Sequence, residues 1–88
     1  MKLVSGFLTH KTPDGIIAVA TGEAATRFTG MMRLNDTAAL IVEALSADTT
    51  VEALVEKVVA EYDVAKEIAE KDVVAMVETL RGAGLLVE

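Results

Sequence analysis

The sequence predicts an α+β domain, with a small antiparallel sheet lying against a helical cluster. Three observations point there. Strand-like segments fill residues 1–35, helical periodicity fills residues 36–88, and the two kinds of segment do not interleave. A chain of 88 residues makes a single domain spanning 1–88. Its apolar share is 52% and its aromatic share only 3%, which suits a core of small aliphatic side chains.

Phe7 to Lys11 reads as the first strand and Ile16 to Thr21 as the second. Between them stands Thr12-Pro13-Asp14-Gly15. Proline presets φ, aspartate favours the turn and glycine accepts positive φ, so the pair forms a hairpin. Gly22 to Gly30 is a connection with one helical turn at Glu23 to Thr26 and Phe28 as its apolar anchor. Met31 to Leu34 is the third strand.

Three helices follow. Asn35-Asp36-Thr37 matches a glycosylation sequon, but without a secretion signal it reads as a helix cap. Ala38, Ile41, Val42 and Leu45 form the first buried stripe. Thr49 and Glu52 fit a capping box for the second helix, whose stripe is Val51, Leu54, Val55, Val58, Val59 and Tyr62. The third helix runs from about Lys66 to Arg81, with Ile68, Val73, Met76, Val77 and Leu80 inward. Gly82 and Gly84 end it, and Leu85 to Val87 return to the core.

Charge and composition narrow the function. Residues 1–35 carry a balance of +2 and residues 36–88 a balance of −8, making the net charge −6. A nucleic-acid binder replaces phosphate counterions with lysine and arginine. The helical half would repel phosphates, so a nucleic-acid-binding or transcription-regulator role ranks second. No cysteine is present, the start does not fit a signal peptide, and no run would span a membrane. A cytoplasmic protein with no membrane partner is expected.

Catalytic signatures do not emerge. His10 is the sole histidine and has no nucleophile at a telling spacing. Glu67, Glu70 and Asp72 alternate with Lys66 and Lys71, and read as helix-surface charge pairs instead of metal ligands. The glycines fit neither a P-loop nor a dinucleotide fingerprint. The expectation is a non-enzyme without cofactor or metal.

The third strand is more telling. A three-stranded open sheet leaves edges whose amides and carbonyls lack partners, and on Met31 to Leu34 only Arg33 offers protection. Such an edge can take up an extended peptide as an added strand. Ala69 and Val74 widen the apolar arc of the third helix, so one side could line a groove beside the strand. Met31, Met32 and Met76 are pliant side chains that adapt to varied partners. The same edge could instead pair two chains into a structural homodimer.

The ordered set Gly22-Glu23-Ala24-Ala25, Phe28, Gly30-Met31, Leu34-Asn35-Asp36-Thr37-Ala38, Thr50-Val51-Glu52-Ala53-Leu54, Glu61-Tyr62-Asp63-Val64, Asp72-Val73 and Leu80-Arg81-Gly82-Ala83-Gly84-Leu85-Leu86 resembles the PqqD-like family, named for an accessory protein of pyrroloquinoline quinone biosynthesis. The resemblance covers the chain from about Gly6 onward. It implies a three-stranded antiparallel sheet followed by three helices in a winged-helix-like arrangement. It also implies a recognition element for ribosomally made, modified peptides. The precursor's leader would add beside the third strand and pack on the third helix. The domain would then present it to a modifying enzyme, often a radical-SAM protein. Carried over to this chain, the strand side is Met31, Met32, Arg33 and Leu34. The helix side is Ala69, Val73 and Met76, with Lys71 or Lys66 meeting acidic leader residues. Met32 stands where many members carry an aromatic residue, and Ala65-Lys66 opens a helix that usually starts with an acid or proline.

Overall fold

The chain first doubles back at Pro13-Asp14, where Thr12 pairs with Gly15 and the Thr12 hydroxyl donates to the Gly15 carbonyl at 3.1 Å. The structure, a computed structural model, describes residues 1–28 and 30–88. The turn joins β2 (Phe7–Thr12) to β3 (Gly15–Ala20), after a short β1 (Lys2–Leu3). Then come α1 (Gly22–Arg27), β4 (Met31–Leu34), α2 (Asp36–Ala44), α3 (Val51–Glu61), α4 (Lys66–Gly82) and β5 (Leu86–Val87). The main sheet is antiparallel in the order β2-β3-β4, as expected. Thr29, inside the connection expected from Gly22 to Gly30, lies outside the described residues.

Strand alternation sorts the sheet's side chains onto two faces. Phe7, Ile16, Ala18, Ala20, Met32 and Leu34 face the helices, and Ala18 is fully buried. Phe28 packs on the core with its ring 6.1 Å from that of Phe7, filling the anchoring role read from sequence. The buried stripes of the helices meet beneath the sheet as Ala39, Ile41 and Val42, then Leu54, Val55 and Val58, then Ala69, Val73, Val77 and Leu80.

Helix ends follow local chemistry. Asn35 caps α2 by accepting the Ala38 N–H at 2.8 Å, so the sequon is a cap. The α3 cap is Thr50, which accepts from Ala53 N–H at 3.1 Å; the expected Thr49 cap is one residue early. Glu52 then lies in the first turn, where a carboxylate suits the helix dipole. Ala65 opens α4 with no side-chain cap. At the other end Leu85 N–H reaches the Leu80 carbonyl and Gly84 N–H the Arg81 carbonyl, each at 3.0 Å. With Gly84 at φ 74°, this is a Schellman motif, and Leu80 and Leu85 are both buried beside it.

Two features were not anticipated. The helical turn after β3 is a full α-helix, α1, with Ala24 buried and its N–H donating to the Ser5 carbonyl at 3.2 Å. The chain ends also pair, Lys2 with Val87 and Leu3 with Leu86, in a second, two-stranded sheet. Leu3 N–H to Leu45 O and Val4 N–H to Leu85 O, both 2.8 Å, fix this small sheet to the helices.

Candidate functional site

Strand β4 begins as an extension of the hairpin. Its register is Ile16↔Leu34, Ile17↔Arg33, Ala18↔Met32 and Val19↔Met31. Among the described residues β4 has β3 as its sole strand neighbour, so its far edge keeps unpaired backbone groups. Leu34 is buried and Met32 half-buried against the core, while Met31 (62% exposed) and Arg33 face outward. The other open edge belongs to β2, where the exposed Thr9, His10 and Lys11 give polar protection.

Directly beyond β4 lies a hollow of about 240 Å³. One wall is Asn35, which follows β4, with Thr37, Ala38 and Ile41 of α2. The opposite wall is α4, through Asp72, Ala75, Met76 and Thr79. The α4 residues recur at i, i+3, i+4 and i+7, one face of a helix. Ile68, one turn earlier on the same face, is 55% exposed. The strand thus runs at Asn35 into a hollow walled by a mixed apolar and polar face of α4.

Sequence reasoning places the helix contribution at Ala69, Val73 and Met76. Only Met76 lines the hollow; Ala69 and Val73 are both 0% exposed and face the core. The difference in placement has a simple cause. Periodicity gives the width of an apolar arc but not the side from which other elements cover it, and here α3 covers the Ala69–Val73 side. Lys66 also lies away from the hollow, beside Val51, Val55 and Glu70 between α3 and α4. Lys71 is exposed and precedes Asp72, at the outer shoulder of the groove.

The expected charge pairs on α4 do not form: among the described residues, Glu67, Glu70 and Asp72 make no ion pair with Lys66 or Lys71. Arg27 is occupied, bonding the Gly84 carbonyl at 3.0 Å and lying 3.6 Å from Glu23. Arg81 is held by Glu78 and Glu88, and its hydrogen bonds pull the Glu88 carboxyl below its ordinary range. Lys71 and Arg33 are therefore the cations beside the groove without an ion-pair partner among the described residues.

A family model described as coenzyme PQQ synthesis protein D (PqqD) matches residues 14–86. The chain belongs to the PqqD family. That span holds β3, β4 and the four helices, and so includes the whole groove of this PqqD-family chain. Among solved structures, it is similar to a lasso peptide synthetase B1 complexed with its leader peptide. The two share 26% identity and superpose with a TM-score of 0.68, over 99% of this chain and 96% of that one. TbiB1 in complex with the TbiA(beta) leader peptide has the same fold at 20% identity and a TM-score of 0.70, covering 98% and 94% of the two chains. No curated protein matches the sequence. No helix among the described residues is long and apolar enough to cross a membrane.

Proposed function

We propose that this PqqD-family chain is a non-catalytic adaptor that binds the leader of a ribosomally made precursor peptide. The leader adds as a strand to the open edge of β4 and lays its inward side chains over the hollow between α2 and α4. The observation that carries this reading is the junction itself: an edge that has no strand partner on its far side among the described residues, running into a part-apolar hollow at Asn35. The likeness to a lasso peptide synthetase B1 complexed with its leader supports it.

In this reading Met31, Met32, Arg33 and Leu34 give the backbone edge, and Met76 and Lys71 meet the guest directly. Ala69 and Val73 act from behind, by fixing α4 against the core. Each added backbone hydrogen bond contributes about 0.5–1.5 kcal/mol net, so side chains in the hollow must supply the rest against association entropy. Adaptor function then follows from effective concentration: a held leader keeps the rest of the precursor near the active site of a modifying enzyme, a radical-SAM protein being one suitable class. In this reading the chain works in the cytoplasm, where precursor peptides are made.

The test is calorimetry with a panel of synthetic leader peptides of ribosomally made precursors, including any short reading frame that sequencing finds beside the gene. One-to-one, saturable binding is expected, with a negative heat-capacity change from apolar burial. Absence of binding heat across the temperature range, with no displacement of a labelled leader, contradicts the proposal. Light scattering of the free chain across concentration separates it from a dimer joined through β4, which would hide the same amides.

A further inference from the structure

The hollow between α2 and α4 carries more information than its shape. At about 240 Å³ it falls below the roughly 300–1,000 Å³ of small-molecule sites, and suits one long side chain. Half of its lining is apolar, from Ala38, Ile41, Ala75 and Met76. Two of its four polar lining residues are already engaged. The Asn35 side-chain oxygen accepts from Ala38 N–H at 2.8 Å, and the Thr79 hydroxyl donates to the Ala75 carbonyl at 2.9 Å. Asp72 differs. Among the described residues it is the only charged one lining the hollow, and it forms no ion pair with any of them. Its neighbours one helical turn away, Ile68 and Met76, offer no charge, so the helix itself provides no local partner.

We propose that this hollow selects a leader side chain with an apolar shaft and a cationic tip, lysine or arginine, whose charge meets Asp72. The inference rests on the strand-addition reading above and deepens it. Long basic side chains lie their methylenes along apolar surface and keep the charge at the rim, which matches a lining with four apolar residues and one carboxylate. Strand alternation sets the position. Met32 and Leu34 point inward, so guest residues on the same face of the extended sheet point toward the hollow. The inward guest residue nearest Asn35 is the one that meets Asp72. The surplus of carboxylates in residues 36–88 adds a long-range bias of the same sign. Lys71, roughly 100° further round the helix, faces the solvent shoulder and serves acidic leader residues outside the hollow.

The experiment is fluorescence polarisation with the labelled synthetic leader and variants carrying lysine, methionine or glutamate at each position in turn. These are titrated against the wild-type chain, Asp72→Asn and Asp72→Lys. Asp72 is exposed, so both variants are expected to fold, which thermal melts would check. At one position lysine is expected to bind about threefold to tenfold tighter than methionine, and glutamate weaker than either. Asp72→Asn erases the difference, and Asp72→Lys reverses it in favour of glutamate. Tight binding with no lysine preference at any position, or a preference that survives Asp72→Asn, overturns the inference while leaving strand addition intact. Failure of every variant to bind overturns both.

Discussion

Replacing Gly6 with alanine is expected to destabilise the fold by about 3 kcal/mol, the sum of backbone strain and weakened hydrogen bonds. Gly6 has φ +110°, and a β-carbon there would stand 2.0 Å from the Thr21 carbonyl oxygen. The approach is that close because the Gly6 carbonyl accepts from both the backbone N–H (2.8 Å) and the hydroxyl (2.6 Å) of Thr21. These bonds tie the entry of β2 to the β3–α1 junction. Relief of the clash requires the two segments to part, weakening both bonds and loosening the seat of Ala24, which is fully buried. For a domain of this size the melting temperature should fall by roughly 12–20 °C. Gly82→Ala is the internal control. Gly82 lies in the last turn of α4 without positive φ and with open space around it. Alanine there should be neutral or stabilising by up to about 1 kcal/mol, through lower unfolded-state entropy and better helix propensity. Equal effects at the two positions would contradict this assignment.

Proline substitution within β4 should abolish leader binding at one position and damage the fold at the next. Successive residues of a strand direct their backbone groups to opposite edges, so of Met32 and Arg33 one bonds to β3 and the other faces the open edge. Proline at the outward residue removes a donor the guest needs and sets its ring in the guest's path. Edge strands tolerate such a proline. Affinity should fall at least about tenfold, with a melt close to wild type. Proline at the inward residue breaks the β3–β4 ladder and lowers the melt instead. Met32→Ala and Arg33→Ala correct for the lost side chains, which matters most for the half-buried Met32. Full affinity in both proline variants is incompatible with strand addition at β4.

Much of the architecture was legible because local signals agree. Pro13-Asp14 between two strand-forming segments specifies the hairpin, and Asn35 before Ala38, Ile41 and Val42 specifies the start of α2. The shift of the α3 cap from Thr49 to Thr50 shows what local patterns leave open. Adjacent threonines can both cap, and packing of Leu54, Val55 and Val58 decides the phase. The pairing of β1 with β5 left no trace in the pattern, since two-residue strands have no period and depend on Leu85 settling into the core. The β4 side of the groove follows from edge chemistry. Its helical wall does not, because Asp72 and Thr79 resemble any solvated helix surface until α2 is seen opposite them.

The measurement that bears most directly on the central claim is residue-resolved amide hydrogen exchange of β4, by NMR, with and without saturating leader peptide. Added-strand binding predicts that the edge-facing amides of Met31 to Leu34 slow at least about tenfold, since each gains a backbone partner, while the outer edge of β2 is unchanged. Unaltered exchange throughout β4 at saturation would contradict the account, however tightly the peptide bound elsewhere.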